Sequence, residues 1–185
     1  MDGTLSREDY EELYKLTANV SPRLEDCGRY CSQACCRTDA GQGIYLLPGE
    51  HQLFSGQESW LAWDVQDCAD YEFPDSWEGR VYFLHCSGQC DRNLRPIQCR
   101  TYPVAPHLTD DGRFVLVRET LETTYQCPLI TDRMPLSRDW LEATWRAWAK
   151  LLTDPLIYDL VRMDSEERTE LHPDMQTAYG HVSRP

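Results

Sequence analysis

Nine cysteines in 185 residues, most of them bunched, constrain this chain more than any other feature. Four fall in Cys27-Gly-Arg-Tyr-Cys31-Ser-Gln-Ala-Cys35-Cys36. Cys86, Cys90 and Cys99 fall in a second block, while Cys127 and Cys68 stand apart. Isolated thiols behave as small buried hydrophobes. Clusters at short gaps bring several sulfurs within reach of one ion, as zinc and iron–sulfur sites require. The chain must fold so that two distant cysteine-rich segments meet.

Disulfides are the competing use of so many cysteines. They need an oxidising compartment, and an odd count leaves one thiol over. The opening Met1-Asp2-Gly3-Thr4-Leu5-Ser6-Arg7-Glu8-Asp9 is polar and acidic, unlike a secretory leader. No run approaches the roughly 18 apolar residues of a membrane span. A cytoplasmic protein with reduced thiols is expected, sized for one domain with its own core.

The net charge of −13 argues against a nucleic-acid surface, which would want a basic stripe, and against an anionic membrane. The cations are unevenly chosen: sixteen are Arg, and only Lys15 and Lys150 are Lys. Arg29, Arg37, Arg92, Arg95 and Arg100 lie in or beside the cysteine blocks. Thiolates around a cation leave excess negative charge, which guanidinium groups can offset.

Residues 6–20 read as a helix with a Ser6/Asp9 capping box and one face of Tyr10, Leu13, Tyr14 and Thr17, stopped by Pro22. Residues 27–36 read as a helix or a tight loop. On a helix Cys27, Cys31 and Cys35 would fall within roughly 80° of one another, with Cys36 turned away. Gly41-Gln42-Gly43 reads as a turn. Short strands are expected at 44–47 and 81–84, and a hairpin over 104–118 around Asp110-Asp111-Gly112. Residues 57–80 show no clean period. Ser137 caps a helix over 138–152 with a core stripe of Leu141, Trp145, Trp148 and Leu152; Asp154-Pro155 starts another over 155–163. The tail from Ser165 is polar and reads as loosely ordered.

Other chemistry is thinly supported. Cys27-x3-Cys31-x3-Cys35 misses the C-x3-C-x2-C of radical enzymes that use S-adenosylmethionine, and no C-x-x-C redox pair, G-x-S-x-G or P-loop is present. His85 and His107 could serve as a ligand or a supporting donor, although packing is the commoner role. His51, His172 and His181 have weaker claims. Glu50, after Pro48-Gly49, reads as a helix cap or a metal contact, capping being the commoner role.

The motif blocks carry a resemblance. Cys27-x3-Cys31-x3-Cys35-Cys36, Gly43-Ile-Tyr-Leu-Leu-Pro-Gly-Glu50, Cys90-x4-Arg95-Pro96-x2-Cys99-Arg100-x-Tyr102-Pro103 and Cys127-Pro128-Leu129 resemble the YkgJ-type cysteine cluster family, described as zinc- or iron-chelating with a CxxCxxCC signature. The likeness spans about residues 24–130. The first block departs from the family by its three-residue gaps. The resemblance implies chelation by Cys31, Cys35, Cys36, Cys90 and Cys99, with Cys86 and Cys127 added. It implies a rigid Arg95-Pro96 turn presenting Cys99, and Arg100 pairing with an acid or offsetting the site's charge. Relatives of the domain occur in lysine N-methylases acting on flagellin, but no methyl-donor pocket is recognisable here.

The expected fold is α+β: a small, irregular, metal-centred domain with short strands between N-terminal and C-terminal helices. Residues 1–23 form the first helix, 24–130 the cysteine domain, 131–164 helices of the same domain, and 165–185 the tail. The expected metal ligands are Cys27, Cys31, Cys35, Cys36, Cys86, Cys90, Cys99 and Cys127, supported by Arg95 and Arg100. The ion is zinc or iron, the latter including an iron–sulfur cluster. An iron–sulfur enzyme or electron carrier and a metal-handling protein are the rival readings. Cysteine-only sites serve both metals, so sequence leaves that choice open.

Overall fold

Ser6 opens the first helix, α1 (Arg7–Leu16), by accepting from the Asp9 N–H while Asp9 returns a bond to the Ser6 N–H. The helix is shorter than the expected 6–20. Thr17 ends it, its hydroxyl donating to the Leu13 carbonyl at 2.9 Å. Tyr10, Leu13 and Tyr14 form the buried face. The computed structural model describes residues 1–36, 43–85, 92–121 and 125–180. Arg37, the Gly41–Gln42 turn, Cys86, Cys90, Asp91 and His181 lie outside the described residues.

Two antiparallel three-stranded sheets follow, making the chain α+β. The first orders β1 (Gly43–Tyr45), β3 (Arg80–His85) and β2 (Ala62–Asp67) with β3 central. Strand β2 lies inside the segment that showed no period. It is largely exposed, so no buried stripe marks it in the sequence. The second sheet contains the expected hairpin, β4 (Val104–Leu108) and β5 (Phe114–Arg118), with Leu108 opposite Phe114 and Gly112 at φ 76° in the loop.

Two long helices cover the second sheet. α4 (Arg138–Leu151) is capped by Ser137 as expected. Its buried face is broader than the expected stripe, taking in Trp140, Ala143, Thr144, Ala147 and Leu151, whereas Trp145 and Leu152 sit at the core's edge. Asp154 caps α5 (Pro155–Leu171) by accepting from the Leu156 and Ile157 N–H groups.

The reading of a loose tail from Ser165 is corrected here. α5 continues to Leu171, and β6 (Thr177–Tyr179) adds to the hairpin as a third strand beside β5. The sequence is polar because two of its polar groups are buried and satisfied. The Ser165 hydroxyl donates to the Val161 carbonyl and accepts from the Leu108 N–H, each with one bond. Arg168 donates to the Pro106 carbonyl at 3.2 Å and to Glu119 at 3.1 Å. Polar composition marks disorder only where such partners are missing.

The main core joins α1, α4 and α5 to the hairpin through Tyr10, Leu116, Trp140, Leu151 and Ile157. Ile97, in the short helix α2 (Ile97–Thr101), belongs to the same cluster. That places Cys99 on a five-residue helix rooted in the core.

Candidate functional site

Three segments far apart in sequence enclose one partly open cavity of about 60 Å³. The first follows α1 and brings Asp26, Cys27, Tyr30, Cys31 and Cys35; the second brings Arg95, Cys99, Arg100 and Tyr102; the third brings Tyr125 and Cys127. The space suits an ion with a few waters, since organic ligands occupy roughly 300–1,000 Å³.

Residues 27–36 are the tight loop rather than the helix. Asp26 accepts from the Gly28 N–H at 3.0 Å and starts a single tight turn, Cys27–Tyr30. Ser32 and Gln33 then take positive φ, 52° and 61°, which breaks any helical period. A Cβ at Gly28 would lie 2.7 Å from the Gln33 side chain, so the loop folds tightly over that glycine. The chain leading into it is tied to the C-terminal half: Arg23 donates to the Pro135 carbonyl at 2.7 Å and the Ser137 N–H to the Pro22 carbonyl at 2.8 Å.

The second segment is held most firmly. Arg100 donates to the Arg95 carbonyl at 2.6 Å and to the Asn93 carbonyl, and its guanidinium lies 4.2 Å from the centre of the Tyr14 ring. Gln98 donates to the Tyr45 carbonyl at 2.9 Å. The Trp140 and Trp148 indole N–H groups reach the Arg100 carbonyl and the Thr101 hydroxyl, both at 3.1 Å. Arg100 therefore spends these donors on backbone oxygens, building the turn that presents Cys99. Arg95 is the cation whose charge is felt at the sulfurs of Cys27 and Cys36.

The third segment is short. Cys127 precedes the single-turn helix α3 (Pro128–Thr131), and its carbonyl accepts from the Ile130 and Thr131 N–H groups. Tyr125 and Tyr102 pack edge to face, ring centres 5.7 Å apart. Arg118 fastens α3 by donating to the Leu129 carbonyl and, at 2.8 Å, to the Met134 carbonyl.

The thiols crowd one another electrostatically. Burial, then the charges of Asp26, Cys127 and Cys31, push Cys27 up to about 11 against the opposing Arg95. Burial also raises Cys127, against the N–H groups of Leu129 and Ile130. The Cys35 and Cys36 sulfurs lie 3.7 Å apart; their hydrogen bond raises Cys35 and lowers Cys36, and Arg95 favours charge on Cys36. Without a cation, this environment keeps most of these sulfurs protonated. A bound cation reverses that balance, because thiolate ligation displaces the proton.

The expected ligands thus divide. Cys27, Cys31, Cys35, Cys99 and Cys127 line the cavity, and Cys36 touches it through Cys35. Cys86 and Cys90 fall outside the described residues. Among the described residues, no group of three or more His, Cys, Asp and Glu side chains is arranged to hold a metal ion. The sulfurs surround a space instead of meeting at a point. The donor chemistry nevertheless fits zinc or iron, for which thiolate is a preferred ligand.

The described histidines lie elsewhere. His85 ends β3 with Nε2 2.9 Å from Asp64, and His107 is buried in β4 where the charge of Arg168 reaches it. Cys68 packs with Trp77 and Val81 and donates to the Trp77 carbonyl at 3.3 Å, a core role. Asp26 and Tyr125 were not singled out from sequence. An Asp two residues before a glycine is a turn signal that could have flagged Asp26; Tyr125 carries no local signal beyond its closeness to Cys127.

No described helix is long and apolar enough to cross a membrane. Comparison with protein-family models, curated proteins and solved structures yields no match to this chain.

Proposed function

We propose that this chain is a metal-binding protein whose clustered cysteines take up zinc or iron, the latter as an iron–sulfur centre. The observation that carries the reading is the convergence of Cys27, Cys31 and Cys35 with Cys99 and Cys127 on one small cavity. Inert thiols have no reason to gather from three segments. Cys27, Cys31, Cys35, Cys99 and Cys127 would hold the ion as thiolates, with Cys36 next to Cys35; Cys86 and Cys90 belong to the ligand set expected from sequence. Arg95 offsets the resulting negative charge. The similarity to YkgJ-type cysteine cluster proteins and a reducing, cytoplasmic setting belong to the same proposal.

Bound zinc would tie three chain segments together; an iron–sulfur centre would add one-electron chemistry. Ligation requires the sulfurs to close on the ion. The turn over residues 31–36 rests on local backbone bonds such as Gln33 N–H to Gly28 O at 2.9 Å, so it is the part suited to adjust.

The test is metal analysis with an absorption spectrum on protein purified without oxygen. About one or two zinc ions per chain and no visible band support a structural or metal-handling site. Iron with acid-labile sulfide and a band near about 400 nm supports the redox form. Neither metal, with all thiols free, overturns the reading.

A further inference from the structure

Glu50 is a fully buried acidic side chain beside α2, and its surroundings are unusual. It is 0 % exposed, yet no basic group bonds its carboxylate directly among the hydrogen bonds of the described residues. Oε1 accepts from the Tyr14 hydroxyl and the Ile97 N–H, both at 2.8 Å, and Oε2 from the Leu47 N–H at 3.1 Å. Three neutral donors from three segments converge on one buried carboxylate. Burial raises its pKa, and these donors with the nearby charge of Arg100 work against the rise.

Its place in the fold gives those bonds a consequence. Ile97 begins the helix that carries Cys99, and Pro96 before it supplies no side-chain cap. The N–H groups of a first helical turn lack acceptors within the helix. Here the acceptor comes from 47 residues upstream. Tyr14, the second donor, carries the Arg100 guanidinium on its ring face. One carboxylate thus touches both the root of the Cys99 helix and the aromatic seat of Arg100, while standing outside the cavity lining.

We propose that Glu50 is a positioning residue for the cysteine site, fixing where Cys99 and Arg100 face the cavity. This rests on the metal-binding reading of that cavity. A carboxylate is suited to the task because it offers only acceptors. Gln at the same place would turn an NH₂ toward an N–H or O–H donor. Loss of such a support around metal ligands typically weakens metal binding by about 10–100-fold.

The experiment uses the full chain and two variants, Glu50→Gln and Tyr14→Phe. Zinc affinity is measured by competition with a chromophoric chelator. Separately, metal-free protein is treated with iodoacetamide and the alkylation of Cys99 and Cys127 is followed by peptide mass spectrometry. The expected result is zinc binding weakened by about 10–100-fold in Glu50→Gln and less in Tyr14→Phe. The Cys99-to-Cys127 alkylation ratio shifts while the far-ultraviolet spectrum is unchanged. A variant that only melts earlier, with zinc affinity within twofold and an unchanged ratio, overturns the inference. If Glu50→Gln does not fold, Tyr14→Phe is held to the same two readouts. If the parent chain takes up no zinc, the zinc form of the metal-binding reading fails, and the alkylation ratio alone decides whether Glu50 positions Cys99.

Discussion

The buried scaffold and the cysteine cavity solve opposite problems with polar groups. In the scaffold each of the key polar side chains has its partners built in. Asp154, fully buried, caps α5 and also accepts from the Thr4 N–H and hydroxyl. Arg168 meets Glu119 and the Pro106 carbonyl. Glu50 has three donors. In the cavity burial, with the neighbouring sulfurs adding to it, pushes up the thiols of Cys27 and Cys127 instead. The contrast teaches that these scaffold side chains find their partners within the protein, whereas the cavity gathers thiols that, on the proposed reading, a cation would complete.

The largest expected effects lie in the scaffold and are independent of metal. Leu151, wholly buried between α4 and its neighbours, leaves a cavity when changed to Ala. Leu151→Ala should cost about 2–5 kcal/mol in urea denaturation, with the same loss in chelator-treated protein. A loss that appears only when metal is present would blur the division between the two regions.

Asp154→Ala ranks next. It removes the cap of α5 and strands the Thr4 donors, and should cost about 1–2 kcal/mol by the same measurement. Removing Thr4 as well tests whether the two effects couple: a double variant no worse than Asp154→Ala shows one shared contact.

Asp164 sharpens the comparison through pH. Burial holds its carboxyl at about 6, with Arg168 opposing and Glu119 and Glu167 adding to the rise. Between about pH 4 and 6 the folded chain keeps a proton that the unfolded chain has released, so this group's contribution to stability falls as pH rises through that window. Asp164→Asn should match the parent near pH 4 and exceed it near pH 7, read as denaturation midpoints. A variant less stable at both values would show that the ionised carboxylate supports Arg168 more than its burial costs. The smallest effect is expected on the cavity's outer loop. Arg29 pairs with Glu25 at 3.0 Å on an open surface, so Arg29→Ala should shift stability by about 0–1 kcal/mol.

What was legible in the sequence was local. Ser6 with Asp9, Asp154 with Pro155 and the Asp110-Asp111-Gly112 turn each act over a few residues, and each appears where its pattern stands. Cysteine spacing drew attention to residues of which five, Cys27, Cys31, Cys35, Cys99 and Cys127, line one cavity, although the contour of 27–36 depended on positive φ at Ser32 and Gln33. The rest required distant partners. Ser165 and Arg168 read as a polar tail because Leu108, Pro106 and Glu119 lie far away in sequence. Glu50 reads as a helix cap, but the helix whose first N–H it accepts begins at Ile97, 47 residues further on. Strand β2 was invisible because an exposed edge strand needs no apolar alternation.

The most direct test of the central claim compares metal content in three proteins purified without oxygen: the parent, Cys31→Ser/Cys99→Ser/Cys127→Ser, and Cys68→Ala. The triple variant removes one sulfur from each segment of the cavity, whereas Cys68 belongs to the core. The account predicts equal metal per chain in the parent and Cys68→Ala, with Cys68→Ala only less stable, and none in the triple variant. Metal retained by the triple variant, or lost from Cys68→Ala while it remains folded, would contradict it.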